Sequence, residues 1–372
     1  MRFVISSSTL STHLGIIGRV IVQKNNLPIL DCFLFDIQGN TLTVTASDND
    51  STLVTKLELN ESDSDVRFAV NAKILQDAIK EIPEQPLTFD FNEATFEITI
   101  NYQNGQYKLM AQNAEDYPSP ALIEDSQIHV KMDSQTLFTG IVRSMVAVAN
   151  DSLRPQLNAI CFDVKCDHLC IVTCNGNQLA LTKITQHNES EGTFLLNTRP
   201  ASLLKNMLTK EQDTVTLSFG QRGAIFSTEE YTLICRLVEG KYPNYPSLIP
   251  TNNNNVITIN RQALMSVLRR VMIFANPSAV LVKIRLGAST LNISSQDIDF
   301  GKSAEENMFC DYSGVPMSIA FKGSTLLELL QNIECDEVLI KLSDPTRAGL
   351  IVPTQQKEGE EVLMLVMPSI FN

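Results

Sequence analysis

Three cysteines, Cys166, Cys170 and Cys174, recur at every fourth position, and binding a soft metal is the first chemistry such thiols suggest. The spacing misses the usual zinc knuckle, in which two residues separate paired cysteines. Their segment, DVKCDHLCIVTCNG, reads as two strands joined by a turn, so the thiols serve better as small apolar side chains. His13, His129, His168 and His187 stand far apart, without the HExxH spacing of a zinc peptidase. Asp48-Asn49-Asp50 and Asp297-Ile298-Asp299 could hold a cation, yet both fall at corresponding strand ends, where turn formation explains them. No Walker loop, GxSxG elbow or dinucleotide fingerprint is present, and Gly220-Gln221-Arg222-Gly223 reads as a hairpin turn. The expectation is therefore no catalytic residue, no metal and no cofactor.

What the chain does carry is a repeated pattern. Three stretches, RFVISSSTLSTHLGIIGRVIV from Arg2, IHVKMDSQTLFTGIVRSMVAVA from Ile128 and NVITINRQALMSVLRRVMIFA from Asn255, each join a short alternating strand to a helix-period run. A Ser, Asp or Asn stands between strand and helix in all three, as helix caps do. A second element recurs in phase: VNAKILQDAIKEI from Val70, LNTRPASLLKNML from Leu196 and FKGSTLLELLQNI from Phe321. Two elements repeating in step divide the chain into domains 1–121, 122–250 and 251–372, an ordinary domain size. The proline-bearing phrases AEDYPSPA and RLVEGKYPNYPSLIP mark the joins. Each unit reads as strand, helix, strands, helix, strands, without the rhythm of a parallel sheet. The expected fold class is α+β: three repeated domains, each with two helices packed on antiparallel sheets. Open sheet edges invite pairing. Consecutive units can pair edge to edge, whereas the first and last keep free edges that a head-to-tail second copy would cover, closing a ring.

With 44% apolar and 19% charged residues over 372 positions, each unit can bury a core. The N-terminus lacks the basic start and continuous apolar stretch of a signal peptide. No apolar run reaches the ~18 residues that span a bilayer, so a cytoplasmic protein without membrane attachment is expected. Eight scattered cysteines fit a reducing compartment. A net charge of −13 argues against nucleic acid as a partner. Its distribution argues back. The repeated helical windows hold Arg19, Lys73, Lys80, Arg143, Arg199, Lys205, Lys210, Arg261, Arg269, Arg270 and Lys322 against Asp77, Glu81 and Glu328. Helices sharing one surface would make it basic while the remaining exterior repels polyanions; the plainer reading is that lysine suits helices.

The last residues, VLMLVMPSIF before Asn372, are unusually apolar for a terminus. Val362 to Val366 reads as a final strand, and Ile370 and Phe371 beyond Pro368 as help in lining a surface groove for short apolar peptides. With the threefold repeat, the basic helices and this tail in hand, the chain resembles the bacterial DNA polymerase III beta subunit family, the sliding clamps. Leu27-Pro28-Ile29-Leu30, RLVEGKYPNYPSLIP and the VMP of Val366-Met367-Pro368 carry the likeness, which extends over the whole chain. It implies a head-to-tail homodimer whose helices line a hole encircling double-stranded DNA without sequence preference, with sheets outside. It implies as further partners the DNA polymerase III catalytic subunit, a clamp loader, and other replication and repair proteins with short clamp-binding peptides.

Carried over by position, the resemblance puts a partner-peptide groove at Leu157, Cys174, Gly176, Leu179, Pro243, Leu248, Thr346, Val366, Met367 and Pro368. Asn177, Gln178, Ser247, Thr325 and Ser369 fall at groove positions as departures. Asn175-Gly176-Asn177-Gln178-Leu179-Ala180 stands where the family shows a DGHRLA-like turn, and Ser247 where it often has a basic residue. Peptide selectivity is expected to differ accordingly. DNA-facing positions would be Lys24, Lys73, Lys80, Arg154, Arg199 and Lys205; the subunit contact would set Tyr107 and Leu109 against Ile273 and Phe274. The implied function is a non-catalytic processivity factor. Two rivals stand beside it: a peptide-binding scaffold that does not encircle DNA and, on the cysteine trio alone, a metal-dependent enzyme.

Overall fold

The computed structural model describes residues 1–22, 25, 27–119, 128–208 and 214–370. The described residues contain six α-helices: α1 (Ser7–Ile17), α2 (Ala72–Lys80), α3 (Ser134–Met145), α4 (Thr198–Met207), α5 (Arg261–Met272) and α6 (Gly323–Gln331). Four begin on the small polar residue that ends a strand. Ser6 Oγ accepts from Thr9 N at 3.2 Å, Asn71 Oδ1 from Ile74 N at 3.0 Å, Asp133 Oδ2 from Thr136 N at 2.8 Å and Asn260 Oδ1 from Ala263 N at 2.9 Å. Each such cap stabilises its helix by roughly 1 kcal/mol. No helix among the described residues is long and apolar enough to cross a membrane.

The chain forms two compact units, Met1–Phe138 with Arg199–Leu237, and Thr139–Thr198 with the chain from Val238 onward. In the first, thirteen strands join one antiparallel sheet. Strand alternation sends Phe3 and Phe89, and Phe35, Phe68 and Phe91, to the inner face, where their rings stack with centroids 4.6 to 5.3 Å apart. The Leu27-Pro28-Ile29-Leu30 segment supplies a turn of 3-10 helix, Pro28–Asp31. It buries Ile29 and Leu30 against Cys32, Ala69 and Tyr117. Strand Tyr231–Arg236, third after the second helix of its repeat, pairs with Ser51–Glu58, third after the first helix of the preceding repeat.

The second unit holds an eight-stranded and a four-stranded antiparallel sheet. Here the same junction recurs: Glu360–Val366 pairs with Gln178–Thr185 along seven residues. Ile257, Leu264, Leu268 and Val271 form a core with Ile284, Ile293, Phe321, Leu326 and Leu330, reached also by Ala147 and Ala180 of the central repeat. Two strands of these classes have no such partner among the described residues. Lys302–Phe309 ends the four-stranded sheet. Residues 105–110 of Gly105–Asn113 pair only with Glu97–Tyr102. Each therefore shows one open edge among the described residues.

The start of α6 lies tight against α5. A Cβ on Gly323 would come within 2.6 Å of both Met272 Sδ and Val282 Cγ2. Gly323→Ala is therefore expected to cost about 1–3 kcal/mol by overpacking, read as a lowered urea midpoint. An unchanged midpoint would mean that α6 shifts freely.

Candidate functional site

In the second unit, one buried cluster gathers residues that lie far apart in sequence. Leu157 comes from the 3-10 turn Pro155–Asn158, Cys161, Cys170 and Cys174 from a hairpin, and Leu179 and Leu181 from the next strand. Leu350, Leu363, Leu365 and Tyr242 also belong to it. Cys174 N donates to the Tyr242 hydroxyl at 2.8 Å, and Tyr245 Oη donates to Asp163 Oδ2 at 2.9 Å. Burial pushes both tyrosine hydroxyls well above their ordinary range, so they act as fixed neutral groups. The phrase Tyr242-Pro243-Asn244-Tyr245-Pro246 is thus a clasp: two aromatic rings pack on the cluster and their hydroxyls tie it to the hairpin.

Around this floor stands a partly exposed rim. Leu248 is 49% exposed and Met367 39%, unusual for large apolar side chains. Pro243 and Pro368 are half-buried, and Ser247 and Thr346 are exposed. Ser247 Oγ donates to Asn244 O at 2.7 Å, and Thr346 Oγ1 donates to Asp344 Oδ1 at 2.5 Å. Gly176 sits at φ +92°, open to glycine at no steric cost. Its turn is closed by Asn175 Oδ1, which accepts from Asn177 N and Gln178 N, each at 3.1 Å. Met367 N donates to Asn177 O at 2.7 Å, and Ser369 N to Ala320 O at 2.8 Å.

Not every expected groove residue reaches the floor. Leu157, Cys174 and Leu179 do. Gln178 and Val366 pair with each other across the strands, but alternation turns Val366 into the core beneath the helices, and Gln178 Nε2 donates to Val146 O at 2.7 Å. Thr325 is half-buried on α6 beside Leu326 of that same core. Leu365, Tyr242, Tyr245 and Leu350 also line or brace the floor, beyond the groove positions that the resemblance implies. The alternation of EEVLMLV carried the signal, since Leu363 and Leu365 share one face and Val362, Met364 and Val366 the other.

The cysteine trio divides. Cys166 is exposed at the turn, whereas Cys170 and Cys174 are buried in the floor. Among the described residues no group of His, Cys, Asp or Glu is arranged to hold a metal. Burial raises the Cys161, Cys170 and Cys174 thiols, and a hydrogen bond with Glu191 is the main cause of the rise at Cys166. A raised thiol holds less thiolate at neutral pH. Iodoacetamide at pH 7 is therefore expected to label Cys166 slowly and the three floor thiols only after unfolding, as followed by intact mass. Rapid native labelling of Cys174 would show an open floor.

Of the expected DNA-facing residues, Lys24 lies outside the described residues, as do Lys210 of the helical windows and Phe371 of the tail. Lys73 and Lys80 are exposed on α2, and Lys205 is half-exposed on α4. Arg154 is exposed with its Nε 2.8 Å from Asp151 Oδ2. Arg199 is tied down: Nε reaches Asp48 Oδ2 at 2.6 Å and Nη2 reaches Val20 O at 2.5 Å. Asp48 Oδ1 meanwhile accepts from Ser51 N at 2.8 Å, so the Asp48-Asn49-Asp50 run is a turn that anchors an arginine. The charge count overstated the basic surface. Arg143, read as an exposed charge on α3, is 5% exposed and paired with Glu360 and, at 3.6 Å, Glu334. Arg261 donates to Leu330 O and Cys335 O near the end of α6, and Arg270 forks onto Glu306. The guanidinium fork favours fixed planar partners, while lysine stays hydrated, so Arg143, Arg199, Arg261 and Arg270 are engaged in holding the fold, whereas Lys73, Lys80 and Lys205 remain outside.

Ile273 and Phe274, at the end of α5, are 74% and 39% exposed. Tyr107 and Leu109 are half-buried on their open-edged strand, with the Tyr107 ring 5.0 Å from Tyr102.

Family models match almost the whole chain. They are described as the N-terminal, central and C-terminal domains of the DNA polymerase III beta subunit, over residues 1–122, 131–244 and 246–367. The chain belongs to the DNA polymerase III beta subunit family. Among relatives, the beta sliding clamp of Pseudomonas putida is 26% identical over 372 residues, covering 99% of each chain. That of Haemophilus influenzae is 24% identical, covering 98% of this chain and 99% of its own. The fold is similar to a Pseudomonas aeruginosa sliding clamp bound to griselimycin, with a TM-score of 0.95 at 23% identity. It is also similar to the Thermotoga maritima DNA polymerase III beta subunit, with a TM-score of 0.90 at 23% identity. Both alignments cover 100% of each chain.

Proposed function

We propose that this chain is a DNA sliding clamp: two copies close head to tail into a ring around duplex DNA and tether the replicative polymerase there, without catalysis of their own. The observation that carries the reading is the pair of edges left over. At both junctions inside the chain, the third strand after a first helix pairs with the third strand after the next repeat's second helix. Making that contact once more requires Lys302–Phe309 of one copy and Gly105–Asn113 of another, and two such contacts close a dimer. Tyr107 and Leu109 lie on one of these strands. Ile273 and Phe274 directly follow α5, which Arg270 ties to Glu306 on the other.

Encirclement removes the difficulty posed by a net charge of −13. A ring needs little affinity for the strand it surrounds. Lys73, Lys80, Lys205 and Arg154 supply weak phosphate contacts that permit sliding, where a dense basic surface would impose strong, salt-dependent drag. The apolar floor and its rim take short apolar peptides of the DNA polymerase III catalytic subunit, the clamp loader and other replication and repair proteins. Ring opening falls to that separate loader. After loading, the protein is expected to stay on circular DNA and leave within moments once the circle is cut, as measured by gel filtration of the complex. Equal retention on circular and linear DNA would sink the topological mechanism.

A further inference from the structure

In the four-stranded sheet Val282, Ile284 and Ile293 point into the core, so the residues between them face outward. Register aligns Ala320, Lys283, Ser294 and Glu305 in one row across the four strands. Lys283, Ser294 and Glu305 floor a cleft of about 700 Å3, a volume typical of ligand sites. Two isoleucines stand in its walls: Ile298, 81% exposed, and Ile370, 96% exposed. The lining is mostly polar and charged, and Ile298 and Ile370 are the apolar side chains it leaves most exposed to an incoming chain.

The C-terminal tail connects this cleft to the groove. Met367 N is bonded to Asn177 O beside the groove, and Ser369 N to Ala320 O at the end of the row. Met367 and Ile370 are separated by at most about 11 Å of extended chain, so a polypeptide leaving the groove reaches the cleft within a few residues. Charge selects the class of occupant. Lys283 and Arg285 share the lining with Asp299 and Glu305, and Arg285 lies 3.9 Å from Glu305. Such a balanced surface offers little to a polyanion and suits a chain carrying both signs.

We infer that this cleft is a second docking site for partner proteins, taking the residues that flank the apolar segment held in the groove. The inference rests on the groove reading above. Its test uses two fluorescent peptides from the same organism's DNA polymerase III catalytic subunit, one limited to the apolar segment and one retaining its flanks. The longer peptide is expected to bind the unaltered dimer at least roughly tenfold more tightly, as linked contacts do. Lys283→Glu with Ile298→Asp should remove that gain and leave the short peptide's affinity unchanged, while Leu248→Asp weakens both. Equal affinities of the two peptides for the unaltered protein, or a gain that survives the double substitution, would overturn the inference and leave the groove standing. A gain displaced by short duplex DNA would assign the cleft to nucleic acid and overturn it too. Failure of the short peptide to bind at all would overturn the groove reading, and the inference with it.

Discussion

A chain carrying Ile273→Asp and Phe274→Asp is expected to run as a monomer at concentrations where the unaltered chain is a dimer. Both side chains are large, apolar and well exposed in the single chain. Covering what each still exposes contributes about 1–2 kcal/mol for Ile273 and about 0.6–1.2 kcal/mol for Phe274 to association. Replacing them forfeits that gain and adds two carboxylates whose desolvation costs several kcal/mol. A loss of more than ~4 kcal/mol is a thousandfold or greater rise in the dimer dissociation constant. The monomer itself should fold normally, because substitutions at exposed positions usually shift stability by under ~0.5 kcal/mol. Sedimentation at several concentrations gives the association state, and a melting curve reports the fold. A dimer that persists with an unchanged melting curve would put the interface elsewhere. Retention on circular DNA should fall with the dimer, which connects the α5 terminus to the function directly.

The second large effect is expected at Arg143. Its guanidinium is buried against Glu360 on the strand that continues into the groove tail. Arg143→Met removes the charge and strands the carboxylate of Glu360, whose side chain is only 13% exposed. Breaking a buried pair from one side costs about 3–5 kcal/mol. The Glu334 contact, with a side chain 68% exposed, adds little. In a unit of this size the loss corresponds to a fall in melting temperature of roughly 6–20 °C. Changing both partners, Arg143→Met with Glu360→Gln, should restore most of it, because the cost lies in the orphaned charge and not in the absence of a bond. Calorimetry of the unaltered chain and the two variants decides. If the single and double substitutions melt alike, the pair is not coupled and Glu360 is solvated after all.

Much of this architecture was legible because the repeat made each element its own control. Ser6, Asp133 and Asn260 announced three helix starts, and the structure buries the corresponding strand residues Phe3, Val130 and Ile257 alike. That consecutive units can pair edge to edge follows from open edges, whereas which strands meet does not. Side-chain direction was less legible. Arg143 read as a surface charge because helical periodicity says which face is apolar but cannot see a carboxylate arriving from a strand more than two hundred residues away. Arg199 misled in the same way, its partner being a turn in another repeat. In the groove, motif likeness drew the eye to Val366, while the period of two gives the floor to Leu365. Tyr242 was visible as part of a phrase, but its bond to Cys174 N depends on a crossing that no local pattern encodes.

The recurrence of one strand contact at Tyr231–Arg236 with Ser51–Glu58 and at Glu360–Val366 with Gln178–Thr185 bears on how the proposed ring comes apart. Within the chain, two edges that separate remain leashed by the polypeptide at a high effective concentration and meet again at once. Between copies the same geometry has no leash. The proposed dimer would therefore have six near-equivalent seams, of which only two would open productively. A loader has no need to recognise a special weak bond. It has only to keep one unleashed seam from resealing, and the covalent path of the chain determines where the gate lies.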